Sequence, residues 1–82
     1  MTRKIKEIAA DIRNEWGKVG KGVSPYAKPY LDAMLTLNTI DDYYYCDSAH
    51  SIVCYFLGNA ASFRGEAAKR LKGELKEVAN LK

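Results

Sequence analysis

Apolar side chains recur along this chain at intervals of three and four, the spacing of one face of an α-helix. The first series is Ile5, Ile8, Ile12, Trp16 and Val19. Thr2 ahead of it is an N-cap residue type. Gly17, Gly20 and Gly22 predict where this helix ends, since a glycine in a helix interior costs ~1 kcal/mol relative to alanine. Residues 20–28 read as a connection. Ser24-Pro25 is a helix-start signal, but Pro29 would delete a backbone hydrogen bond from a helix begun there and push Lys28 out of helical dihedrals. The second helix is therefore expected to start at Pro29, as proline at N1, to bury Tyr30, Leu31, Met34, Leu35 and Leu37, and to end near Asn38.

A third helix is expected to start between Asp41 and Ser48, capped by Asp41, Asp47 or Ser48. Ala49, Ile52, Val53, Phe56, Ala60 and Phe63 share one face. Cys54 and Ala61 make the other side apolar too, so this helix is expected to be central and touched from several directions. The run Ile52 to Leu57 also fits a buried strand, but its alanine-rich flanks and the longer three-four spacing favour a helix. A fourth helix is expected from about Arg64 to the end, with Ala67, Leu71, Leu75 and Val78 as its stripe. Glu66 and Arg70, then Arg70 and Glu74, are spaced to pair along its exposed side. The expected fold is all-α, a compact bundle of about four helices in a single domain over residues 1–82.

Length and composition narrow the picture. A chain of 82 residues is one domain with a thin core, and dimerisation is an economical way to bury more surface. Hydrophobic residues make up 48% of the chain, which fits a folded protein rather than a disordered one. The longest apolar run, Ile52 to Leu57, is far short of the ~20 residues of a membrane span. Arg3, Lys4 and Lys6 are not followed by an apolar segment, so a secretory signal is not expected. Cys46 and Cys54 do not make a disulfide framework; on one helix they would stand ~12 Å apart, beyond bridging distance. The cytoplasm is the expected compartment.

The net charge of +3 hides a division. Residues 1–28 carry seven basic and three acidic side chains, and residues 64–82 carry six and three. Between Pro29 and Phe63 there is no lysine or arginine, only Asp32, Asp41, Asp42 and Asp47. Charge therefore describes faces here rather than the whole molecule.

Chemistry is sparse. Cys46, His50 and Cys54, with Asp42 one step earlier, have helical ligand spacing, but one ion cannot span the outer pair and there is no other His or Cys to complete a site. The plainer reading is two small buried or half-buried cysteines and a surface histidine. A Cys–His nucleophile would need an orienting third group, which Asp47 is badly placed to supply. No phosphate loop, zinc-protease signature or serine elbow occurs, and no catalytic residues, metal or cofactor are expected.

The segment Asp41-Asp42-Tyr43-Tyr44-Tyr45-Cys46-Asp47 is the most unusual in the chain. Three consecutive tyrosines cannot all face one core, and tyrosine gives large contact area at small entropy cost. Asp41, Asp42, Tyr43, Tyr44, Tyr45 and Asp47 are thus the expected partner-binding patch, against the alternative that the rings pack between helices. Tyr26 and Tyr30 extend it if the connection folds back. A second candidate is a basic face of Arg3, Lys4, Lys6 and Arg13 with Arg64, Lys69, Arg70, Lys72 and Lys76, suited to phosphate backbones. The acidic side chains interleaved with it favour an ordinary solvated surface. No tight glycine turn gives it a helix-turn-helix.

Ile8-Ala-Ala-Asp-Ile12 with Trp16, Pro29-Tyr-Leu-Asp-Ala-Met34, Asp47-Ser-Ala-His-Ser-Ile-Val53, and Tyr55-Phe-Leu-Gly-Asn-Ala60 with Phe63-Arg-Gly-Glu66 carry a resemblance. Together these segments resemble small uncharacterised proteins of bacteriophages, prophages and mobile elements of Firmicutes and gut bacteria. The resemblance covers most of the chain, rests on packing motifs and brings no catalytic residues. It implies a small non-enzymatic protein that binds one bacterial host or defence protein, as anti-CRISPR inhibitors do. The alternatives are a nucleic-acid-binding accessory protein using the basic helices, and an assembly part that works as a homo-oligomer.

Overall fold

The computed structural model describes residues 3–18 and 22–80. Helix α1 spans Ile5–Trp16 and buries Ile5, Ile8, Ala9, Ile12 and Trp16, the stripe set by the sequence. Of the three glycines expected to end the helix, Gly17 is its C-cap residue; Gly20, with Thr2 and Val19, the expected cap and last stripe residue, lies outside the described residues. The first N–H groups of α1 are satisfied by distant backbone instead of a side-chain cap. Ile5 N–H donates to the Asn38 carbonyl at 3.0 Å and Lys6 N–H to the Leu37 carbonyl at 2.8 Å. The Glu7 carboxylate adds a bond from the Lys4 N–H at 3.0 Å.

Helix α2 spans Lys28–Met34, starting one residue before the expected Pro29 and ending well before Asn38. The Ser24-Pro25 signal does operate, as a turn that feeds into α2: Ala27 and Lys28 N–H both donate to the Ser24 carbonyl at 3.0 Å. Pro29 falls in the first turn of α2, where its missing N–H has no helical partner to lose. After Met34 the chain continues in turns that bury Leu37, with Thr36 Oγ1 donating to the Ala33 carbonyl at 2.7 Å.

The all-α expectation needs correcting between α2 and the third helix. Strands β1 (Tyr43–Tyr44) and β2 (Asp47–Ser48) form a small antiparallel hairpin, with Tyr43 opposite Ser48 and Tyr44 opposite Asp47. Helix α3 then spans Ala49–Gly58, capped by Ser48, whose Oγ accepts from the Ser51 N–H at 3.1 Å. The helix buries only Ala49, Ile52, Val53 and Phe56. Its other side is open, so α3 is not the centrally enclosed helix that its apolar sequence suggested.

Helix α4 spans Glu66–Val78 and follows Gly65, whose φ of 106° suits glycine. Its buried stripe is Ala68, Leu71 and Leu75, continued by Ala79; Ala67 and Val78 are only partly buried. Helix α1 packs on α4, α2 packs on α3, and α1 also touches α2. The pairs meet at Trp16, which stacks on Phe63 at 5.0 Å between ring centres and meets Phe56 edge-on at 6.1 Å. Among the described residues the fold is therefore mostly helical, four helices around one core with a hairpin at the entrance to α3.

Candidate binding surface

The hairpin takes its position from Asp42. Its carboxylate accepts from the Asn38 N–H at 2.8 Å and the Thr39 N–H at 3.2 Å, closing the turn that leaves α2. Those bonds hold its carboxyl below the ordinary 3.8. The Asp42 carbonyl accepts the Ala49 N–H at 2.8 Å, which fixes the base of the hairpin to the start of α3. Asp42, expected among the contact residues, is half-buried and has a structural task in closing this turn.

The three tyrosines separate as strand geometry requires. Side chains alternate across a strand, so Tyr44 turns inward and packs against the core while Tyr43 and Tyr45 point to solvent. Tyr43 is 69% exposed and Tyr45 87%. Tyr45 opens the two-residue loop with Cys46 and takes φ 57°, a region that L-residues other than Asn and Asp avoid. Its only aromatic neighbour is Tyr44, edge-on at 4.8 Å. Asp41 and Asp47 are exposed on either side of the hairpin. Of the six residues expected to make the patch, Asp41, Tyr43, Tyr45 and Asp47 present themselves; Asp42 and Tyr44 support them.

Other tyrosines form a separate feature. Tyr26 is 78% exposed in the turn before α2. Tyr30 on α2 meets Tyr55 on α3 at 5.5 Å, which ties it to the outer α2–α3 seam. Tyr55 lies ~10 Å along α3 from the hairpin, so the Tyr30–Tyr55 pair stands apart from the hairpin loop. Sequence reasoning passed over Tyr55, although its place one turn from Ser51 and off the Ile52–Phe56 stripe marked it as outward-facing.

The packing of α1 on α4 brings two of the basic candidates, Arg3 and Arg70, to one carboxylate. Arg3 grips both oxygens of Glu74 through Nε at 2.9 Å and Nη2 at 3.0 Å, and reaches Asp11 through Nη1 at 2.6 Å. These bonds raise its pKa, the Glu74 hydrogen bond most of all. Arg70 shares Glu74 at 3.1 Å. Lys72 donates to the Phe63 carbonyl at 2.6 Å, with its ammonium 5.7 Å from the centre of the Phe63 ring. Burial, with Lys76 and Arg64 nearby, lowers its pKa. Lys4, Lys6, Arg13, Arg64, Lys69 and Lys76 remain exposed.

Cys46 sits on the hairpin loop, not on a helix with His50 and Cys54, so the three do not form the expected helical series. His50 and Cys54 do share a face of α3. Among the described residues no group of three or more His, Cys, Asp or Glu side chains is placed to hold a metal ion, and no helix is long and apolar enough to cross a membrane. No protein family, curated protein or solved structure matches the chain.

Proposed function

We propose that this protein acts by binding another protein through the tip of its hairpin and performs no chemistry of its own. One observation carries the reading: Tyr43 on β1 and Tyr45 on the loop are largely exposed on a hairpin whose base is hydrogen-bonded to the start of α3, flanked by Asp41 and Asp47, in a stretch without lysine or arginine. Exposed tyrosines on a fixed scaffold supply contact area with little entropy left to lose, which is the property of binding hot spots. The resemblance to small phage and mobile-element proteins extends the proposal to the partner: a bacterial host or defence protein, inhibited by occupation of its surface.

The test is affinity capture from a nuclease-treated, phage-susceptible bacterial lysate at moderate salt, with a Tyr43→Ala/Tyr45→Ala variant alongside. A stoichiometric protein held by the native chain and lost by the folded variant supports the reading. Equal capture by both removes the hairpin from it. Tyr44 is left intact because its ring supports the fold.

A second reading draws on the packing of α1 on α4: exposed Lys6 and Arg13 lie on α1, exposed Lys69 and Lys76 on α4, and exposed Lys4 and Arg64 just before each helix. That arrangement favours non-specific contact with nucleic-acid backbones. Such binding would weaken by a slope of about 0.9 in log affinity per log salt for each duplex phosphate neutralised. Absence of binding to duplex or single strands at low salt ends that reading.

A further inference from the structure

The outer side of α3 is unlike the other helix surfaces. The helix, AHSIVCYFLG, carries no lysine, arginine, aspartate or glutamate, and its unburied side presents His50, Ser51, Cys54, Tyr55 and Gly58. His50 is the only histidine in the chain. It stands one helical turn from Cys54, and its Nδ1 lies 3.8 Å from the Cys54 Sγ. Tetrahedral zinc binds thiolate at about 2.3 Å and imidazole nitrogen at about 2.0–2.1 Å, which sets two such donors roughly 3.6 Å apart. The pair therefore already has nearly the length of one edge of a zinc tetrahedron.

One chain supplies only half of the ligands, since no third donor converges on the pair among the described residues. In a two-fold dimer an isologous contact sets the same patch of a second copy opposite the first, so a second His50–Cys54 pair would complete a four-ligand set. We propose that the outer face of α3 is a zinc-dependent dimer contact, in which His50 and Cys54 from two copies of this chain hold one Zn²⁺. The uncharged face lets two helices approach without like-charge repulsion, and Gly58 offers no side chain to obstruct them.

The chemistry balances without an oxidant. Each Cys54 thiol gives its proton to solvent, and each thiolate sulfur donates a lone pair to zinc. Each neutral His50 donates the Nδ1 pair and keeps its proton on Nε2. The two thiolates cancel the charge of the ion, so the centre is neutral.

This proposal is independent of the hairpin reading and is tested on the whole chain in phosphine reductant, which prevents disulfide dimers through exposed Cys46. Light scattering should show a monomer in chelator and a doubled mass in zinc, and native mass spectrometry one zinc per pair of chains. Cobalt in place of zinc should give thiolate charge-transfer bands and tetrahedral ligand-field absorption. Cys54→Ser and the separate His50→Gln variant should stay monomeric in zinc while keeping the native circular dichroism; Cys46→Ser should dimerise as the native chain does. A native chain that remains monomeric at saturating zinc overturns the proposal. So does a zinc dimer that survives both α3 substitutions or is lost in Cys46→Ser.

Discussion

Tyr45→Asn should separate stability from binding. The residue has φ 57°, a left-handed conformation that costs roughly 1–2 kcal/mol for most L-residues and that asparagine tolerates. Substitution also removes the edge-on contact with Tyr44, a geometry worth about 0.5–1.5 kcal/mol. Because the ring is 87% exposed, little apolar burial is lost with it. Relief and loss nearly cancel, so the variant should unfold within about 1 kcal/mol of the native chain. For 82 residues total stability is about 4–12 kcal/mol, so the fold is not at risk. Urea unfolding followed by the fluorescence of Trp16, the single tryptophan, measures this directly. Partner affinity should meanwhile fall by about 2 kcal/mol or more, roughly thirtyfold in Kd. A variant destabilised by more than about 2 kcal/mol would mean that Tyr45 is held by packing and is not displayed. Unchanged affinity in a folded variant would refute its role as a contact.

Other perturbations reach the scaffold. Phe63→Ala empties the space against Trp16 and should cost about 3–5 kcal/mol in urea unfolding, whereas Phe63→Leu should cost under about 1.5 kcal/mol. Arg3→Met breaks the α1–α4 clasp at Glu74 and Asp11; with both pairs partly solvated, the expected loss is about 1 kcal/mol, shrinking in high salt. Asp42 has a lowered pKa, so its contribution is complete at neutral pH and is lost as pH falls below about 4 and through its folded value. Asp42→Asn should therefore destabilise the chain at pH 7 and flatten that acid limb in urea titrations at successive pH values.

The core-facing positions were legible because amphipathic spacing is local. Ile5, Ile8, Ile12 and Trp16 could be placed without knowing their partners, and so could Leu71 and Leu75. The α4 stripe differs from expectation at its first turn, where adjacent Ala67 and Ala68 are chemically identical and only the tertiary packing of α4 selects Ala68. The hairpin was missed because its loop, Tyr45-Cys46, lacks the Asn-Gly or Asp-Gly signal of tight hairpins. Tyrosine's preference for strands was the available clue.

The sequence by itself thus determined four helices, most of their buried faces, and a basic–acidic–basic order of charge, since each follows from side chains a few residues apart. Tertiary structure decided the rest. Backbone from Leu37 and Asn38 caps α1, Asp42 is drawn into closing a turn, and Arg3 is neutralised by Glu74 from the far end of the chain. Which tyrosines reach solvent also waited on the pairing of β1 with β2, because a strand turns successive side chains to opposite faces and only the core fixes which face is which.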